Sequence, residues 1–257
     1  MLAEVRGLVA EGYREVELLG QNVNSYAGGC SFAELLDRVS EVAGLEWIRF
    51  TTSHPMNFNR ELARVLVANP KVVPFLHLPL QSGSDRVLKR MLREYTVAEY
   101  LERLGYLGEA RARMTLSTDF IVGFPGETDE DFEDTLRVLD EVAFDGSFSF
   151  IYSPRPGTSA LRLKDDLPMA LKSERLRRLQ QRQAELTQAS NARFLGREIP
   201  VRIETHGPTE HGWWLAHSGE WKTIHLAVGP GRELPFGELV QARITQASPH
   251  FLGAELA

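Results

Sequence analysis

A single cysteine, Cys30, stands in 257 residues. One thiol excludes an internal disulfide framework, fits a reducing, cytoplasmic setting, and excludes any multi-cysteine metal site built from this chain alone. Long apolar runs are missing too. Nothing approaches the length of a membrane span, and the N-terminus lacks the basic-then-apolar pattern of a signal peptide. Positive charge is not in excess: the formal net charge is −6, so the chain as a whole is no polycation that coats nucleic acid without selection. Internal repeats and low-complexity tracts are also absent. What remains has a hydrophobic fraction of 43%, enough to bury a core in one large domain or two smaller ones.

Over the first two-thirds, segments alternate between helical and strand patterns. Residues 2–12 carry apolar positions at helical spacing and end on Gly12, a C-cap candidate. A strand follows over 15–24, then a helix over 32–44, a strand over 47–55, a helix over 59–70 and a strand over 74–85. Helical stretches fill 85–113, followed by the strand in "TLSTDFIVGFPGE", a helix over 129–142 opened by Thr128 as N-cap, and a strand over 146–158. Strands separated by single helices and apolar through their middles argue an α/β fold with a parallel sheet covered by helices. Ligands in such sheets sit at the C-terminal ends of the strands. Here those ends read "GQNVN", "TTSHP", "QSGSD", "GFPGE" and "SPRPGT", which points to an enzyme site.

Each of these ends offers specific chemistry. Gln21 and Asn22 present amides that both donate and accept, suited to an amino or carboxylate group, although Asn-rich loops also simply turn. Ser53 and His54 close another strand. No HxH or HxxxH partner accompanies His54, so substrate or cofactor contact is favoured over metal binding. Gln81 and Ser82 sit beside Gly83, where backbone can approach a ligand, while Ser84 or Asp85 caps the next helix. His77, inside its strand, reads first as a satisfied core histidine. Arg155 lies between two prolines, either a positioned cation for carboxylate or phosphate or a solvated surface arginine. Cys30, in a Gly-rich loop without a His/Asp arrangement, is incidental.

From Lys172 the texture changes. Residues 172–197 form a long polar helix with seven Lys/Arg against two Glu, a local balance of +5. It is either a solvated face or a contact for phosphates. Short alternating stretches broken by Gly and Pro then fill the rest, the pattern of a small antiparallel barrel of four strands. That barrel holds five of the seven histidines and several aromatics able to stack on bases, though its own balance from Arg197 onward is −2. The organisation expected is 1–171 for the sheet domain, 172–195 for the basic connecting helix and 196–257 for the barrel.

Together, "LLGQNVNSY", "TTSHP", "HLPLQSGSDRVLKRMLREYT", "STDFIVGFPGET" and "SFSFIYSPRPGTSA" resemble the tRNA methylthiotransferases, and the final barrel resembles a TRAM domain. The resemblance runs from about residue 2 to the C-terminus. It implies a partial radical S-adenosylmethionine (SAM) (β/α) barrel followed by an RNA-binding β-barrel, and a transferase that places a methylthio group on C2 of N6-isopentenyladenosine beside the tRNA anticodon. It implies SAM and 4Fe-4S clusters as cofactors, and the tRNA anticodon stem-loop as partner. Cofactor contacts fall by carry-over on Gln21, Asn22, Ser53, Gln81, Ser82, Ser117, Asp119, Gly123, Glu127, Tyr152 and Arg155. Gly123 and Gly126 make room for the adenine, and Ser117 and Asp119 face the pore. RNA contacts fall on Arg175, Arg178, Arg182, Arg193 and Arg197 and on Trp213 and Trp214.

One departure matters. The family needs a CxxxCxxC loop and three further upstream cysteines for its clusters, and a chain with one cysteine supplies neither. The expectation is a fragment, inactive alone, whose cluster ligands lie on missing sequence or on an upstream polypeptide. Three other readings compete. They are a catalytically inactive RNA-binding module, the sister enzyme acting on a ribosomal protein, and an unrelated α/β barrel enzyme using Arg155 and His54 on an anionic substrate.

Overall fold

The computed structural model describes all residues from Met1 to Ala257 except Thr52, Asp166, Glu210, His211 and Pro230. Thr52 belongs to the "TTSHP" strand end and His211 to the start of one expected barrel strand, so both lie outside the described residues.

In the first part, helices α1 (Leu2–Ala10), α2 (Phe32–Ser40), α3 (Arg60–Ala68), α4 (Asp85–Arg90), α5 (Val97–Gly105) and α6 (Asp129–Val142) alternate with strands. These are β1 (Glu15–Leu18), β2 (Trp47–Phe50), β3 (Phe75–His77), β4 (Thr115–Val122) and β5 (Gly146–Ile151). All pairings among them are parallel: β1 with β2, β3 with β4, and β4 with β5. The two pieces of sheet join just before β3, where the Ile48 N–H donates to the Lys71 carbonyl at 2.7 Å and the Val73 N–H donates to the Ile48 carbonyl at 3.1 Å. Spatial strand order is therefore chain order, the topology of a (β/α) barrel left open on one side.

Local sequence explains these elements. Helix α2 buries Phe32, Leu35, Leu36 and Val39 at helical spacing. The first turns of α2, α5 and α6 are fixed by reciprocal capping boxes, Ser31 with Glu34, Thr96 with Glu99 and Thr128 with Asp131. Strand β2 is buried along its whole length, as a covered parallel strand must be. The strands are shorter than the sequence pattern suggests, because each expected strand also includes the turn that follows it.

A long helix, α7 (Met169–Ala192), crosses β5 and α6 and leads into the second part. There β6 (Glu198–Ile203), β7 (Trp213–Ser218), β8 (Thr223–Ala227), β9 (Leu239–Ala247) and β10 (Leu252–Leu256) close into a barrel in the order β10-β8-β7-β6-β9. Two expectations need correction. The barrel has a fifth strand, β10, and it is not wholly antiparallel, since β10 runs parallel to β8. In "LGAEL" one apolar position is a glycine and another an alanine, so alternation is weak. Glycine at 253 leaves room for Gln246 of β9, whose side chain a Cβ there would approach to 3.0 Å. The barrel has its own apolar core around Val201, Ile224, Leu226 and Ala242, separate from the core under the parallel sheet. Among the described residues no helix is long and apolar enough to cross a membrane.

One carboxylate fixes the barrel to the sheet. Glu15, the first residue of β1, pairs with Arg49 of β2, accepts from Arg202 of β6 at 2.9 Å, and meets Nε2 of His217 on β7 at 2.9 Å. Arg49, only 2% exposed, also donates to the Ser218 and Gly219 carbonyls at 2.9 and 3.2 Å, with its guanidinium over the Trp221 ring. Arg202 reaches Glu46 as well, and His217 Nδ1 lies 2.6 Å from Glu204. With a carboxylate on each ring nitrogen, His217 is satisfied as the imidazolium, which donates from both. Phe75 stacks on Trp221, and the Thr115 hydroxyl donates to the Glu220 carbonyl at 2.7 Å. Glu15, Phe75 and Thr115 each begin a strand, so the barrel seats at the N-terminal end of the sheet and leaves the C-terminal ends open.

These contacts set a pH dependence. Burial pushes the Glu15 carboxyl up, but the His217 hydrogen bond and the Arg49 charge outweigh it and hold it at about 2. For His217, burial opposes protonation, yet Glu15 and Glu204 raise it above its ordinary 6.5, with Arg49 working against them. A raised histidine stabilises fully below 6.5 and loses that stabilisation as pH rises through its folded value. A depressed carboxylate stabilises above 4.5 and loses it as pH falls toward 2. Urea midpoints are therefore expected to be highest between these limits and to decline toward pH 9, with the alkaline decline absent in His217→Gln. A wild-type profile flat from pH 5 to 9 contradicts this. Glu15→Gln leaves Arg49 and Arg202 buried without their shared counter-ion, an expected loss of about 3–5 kcal/mol.

Candidate functional site

The C-terminal strand ends converge on two adjoining cavities of about 840 and 730 Å³, both within the size range of cofactor pockets. Gln21, Asn22, Ser53, His54, Ser117 and Asp119 line the larger, and Ile121, Phe124, Tyr152 and Arg155 line the smaller. Gln81, Arg93 and Asp119 belong to both walls, so the cavities meet there.

After β1 the chain turns through a short 3-10 segment, Val23–Ser25. The Asn24 amide clasps the backbone of His54, accepting from its N–H at 2.8 Å and donating to its carbonyl at 3.0 Å, and so locks the first strand end to the second. Asn22 donates to Asn57 at 2.9 Å, but its own Oδ1 is buried without a partner, as is Oγ of Ser53. Buried polar atoms are almost always paired. These two, at adjacent strand ends on the wall of one cavity, fit a polar ligand that completes them. His54 accepts the Met56 N–H at Nδ1, and burial together with the nearby Arg93 pushes its pKa down, favouring neutral imidazole.

Gln81 extends β3 beyond its regular end. Its N–H donates to the Asp119 carbonyl at 2.8 Å, and its carbonyl accepts from Ile121 at 2.9 Å. Its φ is +78°, a conformation that costs a non-glycine residue energy and recurs at ligand sites. The Tyr95 hydroxyl braces this segment from behind, donating to the Leu80 carbonyl at 3.0 Å.

On β4, alternation turns Ser117 and Asp119 toward the cavity, and His77 of β3 lies between them. Its Nδ1 is 2.7 Å from the Ser117 hydroxyl and its Nε2 is 3.5 Å from Asp119. The Phe148 ring meets the imidazole edge-on. His77 is thus a wall residue with both nitrogens engaged, rather than a histidine closed inside the core.

Other expected contacts have packing roles. Ser82 is buried, its hydroxyl accepting from the Ser84 N–H at 3.2 Å. Gly83 packs against a helix: a Cβ there would lie 2.5 Å from Thr135 Cα of α6. At Gly123 the φ is +69° and a Cβ would lie 2.5 Å from Lys172 Cγ, so the glycine makes room for α7. Glu127 accepts from the Gly123 N–H at 3.0 Å and pairs with Arg175 at 2.6 Å, bracing the loop below the cavity wall. Burial raises its pKa against the Gly123 and Arg175 contacts. Tyr152 does face the smaller cavity, packed on Phe124.

The basic helix also differs from expectation. Arg175 is buried and bound to Glu127 and Asp129, Arg178 to Glu133, Arg182 to Asp140 and Glu185, and Arg193 to Asp145. The +5 balance of this segment is largely met by acids of and around α6. Trp214 is a barrel-core residue, whereas Trp213 is exposed. Arg197 is exposed and lies over the Phe194 ring, with no carboxylate partner among the described residues. Sequence reasoning missed Asn24, Arg90 and Arg93, because isolated amides and arginines on helix ends read as solvated.

The residues do not fit an iron-sulfur cluster. Cys30 is half-buried against the main core, and among the described residues no group of three or more His, Cys, Asp or Glu could hold a metal ion.

The profile of the Radical SAM superfamily matches residues 1–139. The chain is 45% identical over 258 residues to the tRNA-2-methylthio-N(6)-dimethylallyladenosine synthase of Myxococcus xanthus, covering 99% of this chain and 55% of that protein. It is 50% identical over 253 residues to the enzyme of that name from an Anaeromyxobacter strain, covering 96% and 55%. It thus spans about half the length of the curated relatives it matches. Among solved structures, coproporphyrinogen III oxidase from Escherichia coli, described as a radical SAM enzyme, superposes with a TM-score of 0.52 at 19% identity, over 95% of this chain and 59% of that one, a likeness of fold.

Gly123→Ala is expected to destabilise the ligand-free protein by about 2–4 kcal/mol, combining left-handed strain with overpacking against Lys172. Thermal melting measures it. A variant that melts like the wild type and loses only adenosyl-ligand affinity would overturn the packing role.

Proposed function

Because the chain belongs to the Radical SAM superfamily, we propose that its C-terminal strand ends hold S-adenosylmethionine, as the SAM-binding and RNA-engaging part of a tRNA methylthiotransferase. The observation that carries the cofactor reading is the pair of unsatisfied buried acceptors, Asn22 Oδ1 and Ser53 Oγ, on one cavity wall at two strand ends. An ammonium or hydroxyl donor supplies what both atoms lack. Gln81, held in its strained conformation where the cavities meet, is placed to bond the ribose, and Phe124 and Tyr152 offer aromatic surface to the adenine. In radical SAM enzymes bound SAM is the source of a 5′-deoxyadenosyl radical. These residues bind and orient it and keep water from its reactive end.

The target, C2 of N6-isopentenyladenosine beside the tRNA anticodon, rests on the relatives' names and their 42–50% identity. The cytoplasm is where such a substrate would be met. On this reading the cluster ligands are supplied from outside these 257 residues, and the chain contributes the cofactor pocket and RNA contacts.

Titration calorimetry with S-adenosylhomocysteine, which needs no iron for its adenosine contacts, tests the pocket. Binding is expected for the chain as it stands. Asn22→Leu and Gln81→Ala should each weaken it by about 1–2 kcal/mol, the worth of a hydrogen bond to a charged or buried partner. No binding at millimolar ligand, or identical affinity in both variants, rejects the site.

A further inference from the structure

With the α7 arginines committed to carboxylates, the cations left to meet an anion lie elsewhere. Arg90, Arg93 and Arg155 all line the smaller cavity, and none of them makes an ion pair with another of the described residues. Among the described residues the one acid on that wall is Asp119, which faces His77. Arg93 also reaches the larger cavity, and its Nε is buried with no hydrogen-bond partner. The arms of the other two are held. Arg90 Nε donates to the Pro125 carbonyl at 3.1 Å, and Gly126 leaves space for its guanidinium, since a Cβ there would come within 2.9 Å of Nη2. The Arg155 loop is pinned where Thr158 Oγ1 donates to the Arg155 carbonyl at 2.8 Å. Arg90 and Arg93 are half-buried and Arg155 is exposed, so all three can reach a ligand anion, and the Arg93 guanidinium, with its Nε buried and unpaired, gains most from one.

We infer that Arg90, Arg93 and Arg155 form the phosphate-binding mouth of the site and grip the RNA backbone on either side of the target nucleotide. The inference rests on the RNA reading above. One carboxylate, such as that of a bound amino-acid group, takes a single guanidinium in a bidentate pair. Three uncompensated guanidiniums around one opening match the repeated charge of a phosphodiester chain instead. The mouth adjoins the cavity bearing Asn22 and Ser53, so a nucleotide held there by its flanking phosphates presents its base to that cavity. The main electrostatic contact is accordingly the rim of the parallel sheet and not α7.

Fluorescence anisotropy of the full 257-residue chain with a labelled anticodon-type stem-loop RNA, across a salt series, tests this. The slope of log affinity against log salt should flatten by roughly one unit for each arginine replaced in Arg93→Gln, Arg155→Gln and the triple glutamine variant. The control Arg178→Gln/Arg182→Gln should keep the wild-type slope. Arg155→Glu, in an exposed loop, provides a variant whose folding is not at issue and should weaken binding further than Arg155→Gln. Unchanged slopes in the rim variants, with a flattened slope in the α7 control, overturn the inference. So does loss of S-adenosylhomocysteine affinity with RNA binding intact, which assigns the arginines to a cofactor carboxylate. If the wild-type chain binds S-adenosylhomocysteine but no RNA, the inference fails while the cofactor pocket stands. If it binds neither, the proposed function fails with it.

Discussion

Everything about the relation between the two parts of this protein turns on the Glu15 carboxylate. Arg49, Arg202 and His217, drawn from the sheet and from the barrel, converge on its two oxygens. A buried charge is tolerated only when paired and hydrogen-bonded, so burial of the three cations depends on the one carboxylate they share. Replacing this cluster with apolar residues could seat the barrel as firmly, but with less definition of register. Ionic groups fix where the barrel sits. Glu204 and Glu46 supply the further negative charge that balances the cations, and the Arg49 guanidinium lies against the Trp47 and Trp221 rings. Because the cluster forms at the N-terminal starts of the strands, the barrel closes one end of the sheet, with Trp221 and Phe251 forming part of the larger cavity's wall. The opposite end keeps its polar strand termini open.

Charge does a second, different task at α6 and α7. Taken alone, α7 looks like a nucleic-acid contact, and α6 looks like an acidic surface helix. Together they neutralise one another through Arg178–Glu133 and Arg182–Asp140, both exposed pairs of small individual worth, and through the buried Arg175–Glu127 pair. The buried pair is the consequential one. Glu127 also receives the Gly123 N–H, so the loop that ends β4 and the helix that covers it are fixed by the same carboxylate. Gly123 makes the close approach of Lys172 possible. A segment that reads as a ligand loop is therefore also the seat of a helix, and one glycine and one glutamate are spent on packing at a strand end otherwise devoted to the cavity.

Much of this was legible in the sequence, and the reasons are physical. Periodicity gave the alternating helices and strands because each helix buries one face and each parallel strand buries two, as α2 and β2 show. Capping chemistry is local, so Thr128 was readable as an N-cap without any tertiary knowledge. The cavity residues Asn22, Ser53 and Gln81 were readable because polar side chains at parallel strand ends have few structural duties, whereas Asp119 came only from the family resemblance. What escaped was decided by partners distant in sequence. Arg175 is separated from Glu127 by 48 positions, and no local signal distinguishes it from the solvated Arg177 beside it. Strand β10 lacks alternation and is held by β8 and β9. His77 read as core because a histidine in a strand usually is, whereas its neighbours Ser117 and Asp119 come from a different strand.

The Glu15 cluster and the C-terminal strand ends differ in how their buried polar groups are satisfied. At the N-terminal end of the sheet, Glu15, Arg49, Arg202 and His217 all find partners within the protein. At the C-terminal end, Asn22, Ser53 and Arg93 each leave a buried polar atom without one. Both ends bury polar atoms, and burial costs the same at each. A cluster that satisfies its own groups, as that around Glu15 does, has no further use for a ligand, since any newcomer must displace a bond already made. An end that leaves acceptors on one wall and guanidiniums on the adjoining one retains free energy that only an outside molecule can release. That molecule needs donors for Asn22 and Ser53 and an anion for Arg93, and the two sets meet at Gln81, whose backbone is held in a strained conformation at the junction.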